Sequence, residues 1–309
     1  MNLIEIAELS EEEAREEIEK VRWPEGTVCP HCGCIVEGGR MTGKTARSGL
    51  YYCKHCNKEF TVTVGTVMED THLTMKQWLL AFHLMCSSKK GVSALQLQRE
   101  LGLGSYKTAW HLAHRIRLAM NDFPVERLLS GIVEVDETYV GGKPPRDPKN
   151  KRGRGTEKTP VVAMIERGKD GTDAGKAIVK KTKFVDGATL KGIIGAFVSK
   201  NADIITDEWK AYNGLSKSYA SHQHVNHGKG EYSRANVHVN NNEAFFAVLK
   251  RGIFGIYHHV SEKHLDRYCQ EFSFRWNLRY VSDGTRCDEA IKQVVDKRIM
   301  RRDLMKKER

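Results

Sequence analysis

The stretch "GIVEVDETYVGG", residues 131–142, decides how the second half of the chain folds. Its β-branched and apolar residues at the start predict a strand, and Asp136 lies inside that strand. Side chains alternate between the two faces of a strand, so Glu134 shares the face of Asp136, and Glu137 follows directly. Alternation alone therefore does not choose among these three acids.

Outward from this strand, the apolar pattern alternates between strand and helix periods. Strands are predicted at "PVVAMIER" (160–167), "GKAIVKKTKFV" (175–185), "ADIITD" (202–207) and "HQHVNH" (222–227). Helices are predicted at "GATLKGIIGAFVSKN" (187–201), from "EWKAYNGL" (208–215), from about 240, and at 261–278. The elements thus follow the order of an α/β ribonuclease-H-like domain: three strands, then helix, strand, helix, strand and helix. We assign this domain to residues 130–285.

Three acids stand at informative places in that order: Asp136 in the first strand, Asp207 at the end of the fourth, and Glu243 at the start of a late helix. In this topology the first and fourth strands are neighbours and the late helix crosses their ends, so the acids can converge. Unpaired carboxylates repel and raise each other's pKa, which divalent cations relieve. We predict a catalytic site that holds two Mg²⁺ or Mn²⁺ ions for phosphodiester chemistry.

Each of these acids also has a simpler interpretation. Asn240-x-x-Glu243 is close to a capping box, and an acid in the first turn suits the helix dipole. Asp207 can serve as the N-cap of a helix that starts at Glu208. The occurrence of all three acids at these positions of the predicted fold is better evidence for a catalytic site than any one of them alone.

The first part of the chain carries a metal-binding pattern. Cys29-x2-Cys32 and Cys53-x2-Cys56, twenty residues apart, have the spacing of a tetrahedral four-cysteine zinc site. We predict a zinc ribbon at residues 23–66 with one structural Zn²⁺. Cys34 fits the spacing less well and is left out. Zinc ribbons bind DNA, RNA or protein, so the partner stays open.

Residues 72–122 predict a helical module, with helices at 74–87, 92–101 and 106–120 and a "GLGS" turn before the last. This pattern fits a helix-turn-helix and an ordinary three-helix subdomain equally well. In the last helix the predicted buried stripe is Tyr106, Ala109, Trp110, Ala113, Ile116 and Met120. The residues predicted to lie largely away from it are Lys107, His111, His114, Arg115 and Arg117.

The charge distribution favours a polyanionic partner. The chain has net charge +11, and an acidic N-terminal helix (1–22) hides a larger excess, since residues 5–19 hold eight Glu and one Arg. Residues 143–158 hold seven basic and two acidic residues, and a basic C-terminal tail (286–309) contains a similar cluster. Nucleic acid is the leading partner. With no apolar run of membrane length and no secretory signal, we expect a cytoplasmic, nucleoid-associated protein.

The sequence closely resembles the ISXO-like group of bacterial insertion-sequence transposases, which carry a zinc ribbon ahead of a DDE transposase domain. The matching segments are "RWPEGTVCPHCG" (22–33), "YKTAWHLAHRIRLAM" (106–120), "VEVDETYVGGK" (133–143), "TDEWKAY" (206–212), "VNHGKGEY" (225–232) and "LKRGIFGIYHHVSEKHLDRYCQEFSFRWN" (249–277). The resemblance implies that Asp136, Asp207 and Glu243 are the metal-binding catalytic triad, which decides against Glu134.

The same resemblance implies that the protein cuts DNA at the ends of its own element with metal-activated water. The freed 3′-hydroxyl then joins target DNA, and the family works as a dimer or larger assembly on paired ends. The ribbon and residues 92–120 would read the terminal inverted repeats. Predicted phosphate contacts are Lys151, Arg152 and Arg154 of the basic loop "KNKRGRG" (149–155), and Lys250 and Arg251 of the late helix. The alternatives are a DNA-binding regulator with an inactive catalytic domain and a nuclease that cuts without joining.

Overall fold

The computed structural model describes residues 1–43, 47–121, 128–141, 158–168, 174–231 and 233–306. The chain divides into two compact units, Met1–Asn121 with Tyr280–Arg309 and Asp122–Arg279. No helix in the described residues is both long and apolar enough to cross a membrane.

The first unit is helical apart from a small hairpin. Its elements are α1 (Leu3–Glu8), α2 (Glu11–Arg22), β1 (Tyr51–Cys53), β2 (Lys58–Phe60), α3 (Met75–Ser87), α4 (Ala94–Glu100), α5 (Tyr106–Met120), α9 (Asp283–Lys292) and α10 (Arg301–Met305). The acidic segment expected as one helix over 1–22 is therefore two helices. The break has a local cause, because Ser10 forms a capping box with Glu13 and starts α2 afresh.

The acidic residues of α2 hold the first unit together. The Glu11 carboxylate accepts hydrogen bonds from the backbone N–H groups of Met75 at 2.6 Å and Lys76 at 3.1 Å, so it caps the start of α3. Glu19 accepts a 2.8 Å bond from the hydroxyl of Tyr51 in β1. A carboxylate at a helix N-terminus is favoured by the unpaired N–H groups and the dipole there. The carboxylates of Glu11 and Glu19 therefore stabilise the fold of the first unit.

The C-terminal segment expected as a basic tail over 286–309 folds into the first unit. Helix α9 begins at Asp283 and buries Cys287, Ala290 and Ile291. Arg286 donates a 2.9 Å bond to the backbone oxygen of Cys86 in α3. Apolar residues in this segment recur at helical spacing, namely Cys287, Ala290, Ile291 and Val294. This periodicity predicts a packed helix, which the high content of basic residues alone does not reveal.

Helices α3, α4 and α5 lie where the sequence predicts them, but the burial of α5 differs. Tyr106, expected in the buried stripe, is 51% exposed, whereas His114, Arg115 and Arg117 are buried. Arg115 donates to the backbone oxygen of Glu69, and its guanidinium lies 5.1 Å from the centre of the Trp78 ring. Two cations expected on the surface of this helix are therefore structural. The helix-turn-helix itself stays a prediction.

The second unit is a mixed α/β layer structure. Its elements are β3 (Ile132–Val140), β4 (Thr159–Arg167), β5 (Ala174–Lys181), α6 (Gly187–Phe197), β6 (Asp203–Thr206), β7 (Ser221–His224), α7 (Asn240–Gly252), a π-helix (Ile253–Tyr257) and α8 (Glu262–Asn277). The five strands follow the order β5-β4-β3-β6-β7. Strands β3, β4 and β5 are antiparallel neighbours, while β6 and β7 continue parallel to β3.

The two faces of this sheet bury different helices. Val133 and Val135 of β3 pack on the α6 side with Leu190 and Ile194. The opposite face packs residues of β4 and β5 against α7 and α8. Glu134 and Asp136 alternate with the two valines and lie on the α7 face, beside Ile165 and Ala163 of β4. The predicted adjacency of the first and fourth strands is confirmed, because β3 pairs with β6.

One predicted helix is absent from the second unit. Residues 208–215, expected to start a helix, form only two short 3₁₀ turns, Lys210–Tyr212 and Leu215–Lys217. Gly214 between them adopts the left-handed conformation with φ of 87°, which an α-helix does not accommodate. Asp207 therefore caps a tight turn rather than a helix.

Candidate metal sites and active site

The four predicted zinc ligands meet in the first unit. Cys53 ends β1, Cys56 lies in the turn before β2, and Cys29 and Cys32 come from the preceding knuckle. The sulfur atoms of Cys29 and Cys56 are 3.7 Å apart, as are those of Cys32 and Cys53, and all four lie within 4.8 Å of one another. Tetrahedral zinc–thiolate bonds of ~2.3 Å place sulfur atoms ~3.8 Å apart, so these residues fit a structural zinc ion.

The electrostatics of the cluster agree with this assignment. Burial, together with contacts to Cys29, Cys32 and Cys53, raises the pKa of the Cys56 thiol to about 12. A backbone hydrogen bond from Cys56 lowers the pKa of Cys53 to about 6. Sulfur atoms this close resist ionising together unless a cation compensates their charge. Cys34 lies outside the group, with its sulfur 4.0 Å from the backbone oxygen of Cys32.

The three predicted catalytic acids lie on the second unit. Asp136 is half-buried in the middle of β3, Asp207 is half-buried directly after β6, and Glu243 is exposed in the first turn of α7. One oxygen of Asp207 accepts a 3.0 Å bond from the backbone N–H of Trp209. The acids thus come from two neighbouring strands and the helix that covers the Asp136 face.

The charges of the three acids act on one another. Burial raises the pKa of Asp136 well above its ordinary value, and the charges of Glu137, Asp207 and Glu243 raise it further. A 2.8 Å hydrogen bond from the backbone N–H of Glu137 opposes the rise. Hard carboxylate oxygens are the donor set that Mg²⁺ and Mn²⁺ prefer. Among the described residues, however, only the four cysteines form a closed group of potential metal ligands.

Glu243 does not cap its own helix. Helix α7 has Val239 as its N-cap, and no side chain of the cap bonds to the first turn, so the capping box considered for Asn240 and Glu243 is absent. The acid at this helix end is Glu134 of β3, which accepts from the backbone N–H groups of Asn241 at 3.0 Å and Asn242 at 3.4 Å. The capping function that the sequence allowed for Glu243 belongs to Glu134.

Glu134 and Asp136 differ in their surroundings. Glu134 is fully buried, and one of its oxygens accepts from Arg167 Nε and Asn241 Nδ2, both at 2.7 Å. Its other oxygen takes the two helix N–H groups. Both oxygens are therefore committed to protein donors, whereas Asp136 is surrounded by other acids. Glu134 has the environment of a structural acid.

A buried tyrosine that the sequence pattern does not single out lies next to the acid cluster. Tyr212 donates a 2.8 Å bond to the carboxylate of Glu137, and burial raises the pKa of its hydroxyl, with Glu137 and Asp136 adding to the effect. No periodic pattern marks Tyr212, because it lies in a 3₁₀ turn. Its hydrogen bond occupies one oxygen of the Glu137 carboxylate.

Two predicted DNA contacts lie on α7, and three lie outside the described residues. Arg251 is exposed, and Lys250 is half-buried. Burial lowers the pKa of Lys250, while the negative charge of Asp136 opposes that shift, so the ammonium group lies within electrostatic reach of Asp136. Lys151, Arg152 and Arg154 of the basic loop are not among the described residues.

Comparisons with known proteins match both units. The ISXO2-like transposase domain matches residues 128–277, and the transposase zinc-ribbon domain matches residues 9–59. A Halobacterium salinarum protein described as an uncharacterized protein in transposable element ISH50 is 29% identical over 280 residues, covering 86% of this chain and 91% of that protein.

Solved structures give weaker similarity. A chain of the simian T-cell lymphotropic virus intasome in complex with PP2A regulatory subunit B56 gamma aligns with a TM-score of 0.30 and 13% identity, over 60% of this chain and 65% of that chain. A chain of the Mos1 strand transfer complex aligns with a TM-score of 0.24 and 11% identity, over 67% and 78%. The assignment rests on the sequence families: the chain carries an ISXO2-like transposase domain at residues 128–277, and a transposase zinc ribbon at residues 9–59 precedes it.

Proposed function

We propose that this transposase is a DDE enzyme whose catalytic residues are Asp136, Asp207 and Glu243, set on a ribonuclease-H-like sheet. The strand order supports the fold, since three antiparallel strands are followed by two that run parallel to the first. The central observation is electrostatic: acids far apart in sequence converge closely enough that Asp207 and Glu243 both raise the pKa of Asp136.

Two Mg²⁺ or Mn²⁺ ions bound to these carboxylates would activate the attacking oxygen and stabilise the leaving one. The protein supplies the frame for that chemistry. Asp136 and Asp207 are held by paired strands, and Glu243 approaches from α7. Hydrolysis breaks a phosphodiester bond and leaves a 3′-hydroxyl, which then displaces the 3′-oxygen of a target phosphodiester. No covalent bond to the protein is needed in either step.

DNA recognition falls to both units in this proposal. The zinc ribbon and α4–α5 bind the terminal inverted repeats, and cations near the acids bind phosphates. Lys250 is suited to a phosphate beside the scissile bond, because it lies two turns after Glu243 and within electrostatic reach of Asp136. The basic loop 149–155 adds sequence-independent contacts. The working form is an assembly of two or more copies on paired ends, in the cytoplasm.

The test is strand cleavage and joining on DNA that carries the ends of the element, with Mg²⁺ or Mn²⁺. Wild type should cut and join, and Glu243→Gln should bind the same DNA with at least ~1,000-fold less cleavage, because the transition state loses metal-held charge stabilisation. Glu262→Gln is a matched control, since Glu262 is also an exposed first-turn acid, on α8.

The outcomes separate the candidate functions. Cleavage by wild type without joining indicates a nuclease of the same fold. Tight DNA binding with no reaction under either metal indicates a DNA-binding regulator. Equal activity of wild type and Glu243→Gln removes Glu243 from the catalytic set.

A further inference from the structure

We propose that Glu134, Arg167 and Asn242 act together as a clasp that fixes the start of α7 on β3 and so positions Glu243 relative to Asp136. This inference rests on the proposed function, because it assigns these residues a task in the catalytic site. They are positioning residues and touch neither metal nor DNA. We refer to the three as the α7 clasp.

Glu134 anchors the first turn of α7. Its carboxylate accepts from the backbone N–H groups of Asn241 and Asn242 and from the side-chain amide of Asn241. Helix N-termini leave N–H groups without partners, and here a carboxylate from a neighbouring strand satisfies two of them. Since Glu134 and Asp136 lie on one face of one strand, the anchor and the predicted metal ligand share a rigid base.

Arg167 fixes the segment that leads into α7. From β4 it pairs with Glu134 through a 2.7 Å bond and donates to the backbone oxygens of Asn236 at 2.6 Å and His238 at 2.9 Å. Both charged side chains are buried, at 1% and 0% exposure. One guanidinium thus joins the sheet to the chain on the N-terminal side of the helix, while its partner carboxylate holds the helix itself.

Asn242 joins the residue before Glu243 directly to the strand at Asp136. It is fully buried, and with its amide oxygen turned toward β3 it accepts from the backbone N–H groups of Asp136 at 3.0 Å and Val135 at 3.3 Å. The hydrogen bond therefore joins Asp136 itself to the residue that directly precedes Glu243. This link sets the separation of the two predicted ligands.

The clasp explains why the Glu243 carboxylate is exposed and does not cap its own helix. Its helix end is secured by another acid, so its carboxylate remains available in the first turn. Displacements of about 1 Å cost catalytic sites about 100-fold in rate. Partners that orient metal ligands are worth 10–100-fold in metal affinity or activity. Loosening the clasp should therefore act on metal binding and rate more than on DNA binding.

The test compares Glu134→Gln and Asn242→Ala with Glu271→Gln in the full-length protein. Glu271 is a matched control, because it is equally buried, accepts a 2.6 Å bond from buried Arg275, and lies in the same unit on α8. All measurements use conditions under which every variant is folded. They are amide hydrogen exchange of residues 240–243, Mn²⁺ affinity by calorimetry, the rate of DNA cleavage, and DNA affinity.

We expect Glu134→Gln to speed amide exchange at Asn241 and Asn242 at least tenfold, whereas Glu271→Gln leaves it unchanged. Both clasp variants should weaken Mn²⁺ binding and slow cleavage about 10–100-fold at unchanged DNA affinity. If Glu134→Gln does not fold, Arg167→Lys keeps the charge, loses the paired donors to Asn236 and His238, and should give smaller effects in the same direction.

Equal exchange, Mn²⁺ affinity and cleavage in Glu134→Gln and Glu271→Gln overturn the clasp while the transposase mechanism stands. A wild-type protein that neither binds Mn²⁺ through Asp136 nor cleaves DNA overturns the proposed function, and the positioning role with it.

Discussion

The zinc ribbon and the proposed carboxylate site are built in opposite ways. All four zinc ligands lie within 28 residues, from Cys29 to Cys56, in two local knuckles. The three acids lie between positions 136 and 243 and need a parallel strand pair and a helix to approach each other. Local spacing thus suffices to recognise the first site. The second exists only once the sheet has formed.

This difference predicts opposite responses to the loss of a ligand. In the ribbon, the metal compensates for a core too small to fold alone, so ligand loss is loss of structure. In the carboxylate site, the sheet supplies the stability and the acids oppose it, so removing an acid relieves repulsion.

Cys53→Ser should abolish zinc binding and unfold the ribbon, because structural zinc contributes about 10–16 kcal/mol of apparent binding free energy to folding. Zinc content per chain and amide protection over residues 23–66 measure this. Cys34→Ser is the control, since Cys34 lies outside the sulfur cluster. Full zinc content in Cys53→Ser would show that the site tolerates three cysteines.

Glu134→Gln should lower the free energy of unfolding by about 3–5 kcal/mol, because it leaves the buried guanidinium of Arg167 without its counter-charge. Denaturant unfolding measures this loss. Arg167→Leu combined with Glu134→Leu should recover part of it, because neither charge then stays buried alone. A change within 0.5 kcal/mol would contradict the contacts seen at this pair.

Asp136→Asn should raise the free energy of unfolding near neutral pH in the presence of a chelator, because the variant side chain carries no charge to bury. The folded state raises the pKa of Asp136, so it binds that proton more tightly than the unfolded state does. Stability from this group is therefore present at low pH and falls as pH rises above the unfolded pKa. Unfolding curves at several pH values measure the difference.

Two further measurements sharpen this contrast. Mn²⁺ should stabilise wild type and leave Asp136→Asn unchanged, since the variant lacks a ligand. Glu262→Gln, on exposed helix surface, should respond to pH and Mn²⁺ as wild type does. Destabilisation of the chelated protein by Asp136→Asn would mean that Asp136 is a structural acid like Glu134.

Lys107→Ala tests whether α5 binds DNA and should have the smallest effect. Lys107 is an exposed cation near the start of α5, so its loss should weaken binding to element ends severalfold and reduce the salt slope by about 0.9. Fluorescence anisotropy at several salt concentrations measures both. Arg115→Gln is the contrasting variant, because buried Arg115 should affect stability first. An unchanged salt slope in Lys107→Ala would favour an ordinary helical subdomain.

Much of the fold was predictable because its signals are periodic. The strands of the second unit and helices α3, α5 and α8 follow apolar alternation or helical spacing closely. The predictions that were wrong involve residues whose environment is set at a distance. Arg115 resembles a surface cation until Trp78 stacks against it, and 286–309 resembles a basic tail until α9 packs on α3.

The zinc-ribbon pattern, the succession of strands and helices and the candidate acids are readable in the sequence, because ligand spacing and hydrophobic periodicity involve neighbouring residues. The contacts that distinguish Glu134, Asn242 and Glu243 appear only in the tertiary structure. A carboxylate's role depends on which donors reach it, and those of Glu134 come from Arg167, 33 positions away, and from Asn241 of α7, 107 positions away. No local pattern encodes such distant partners.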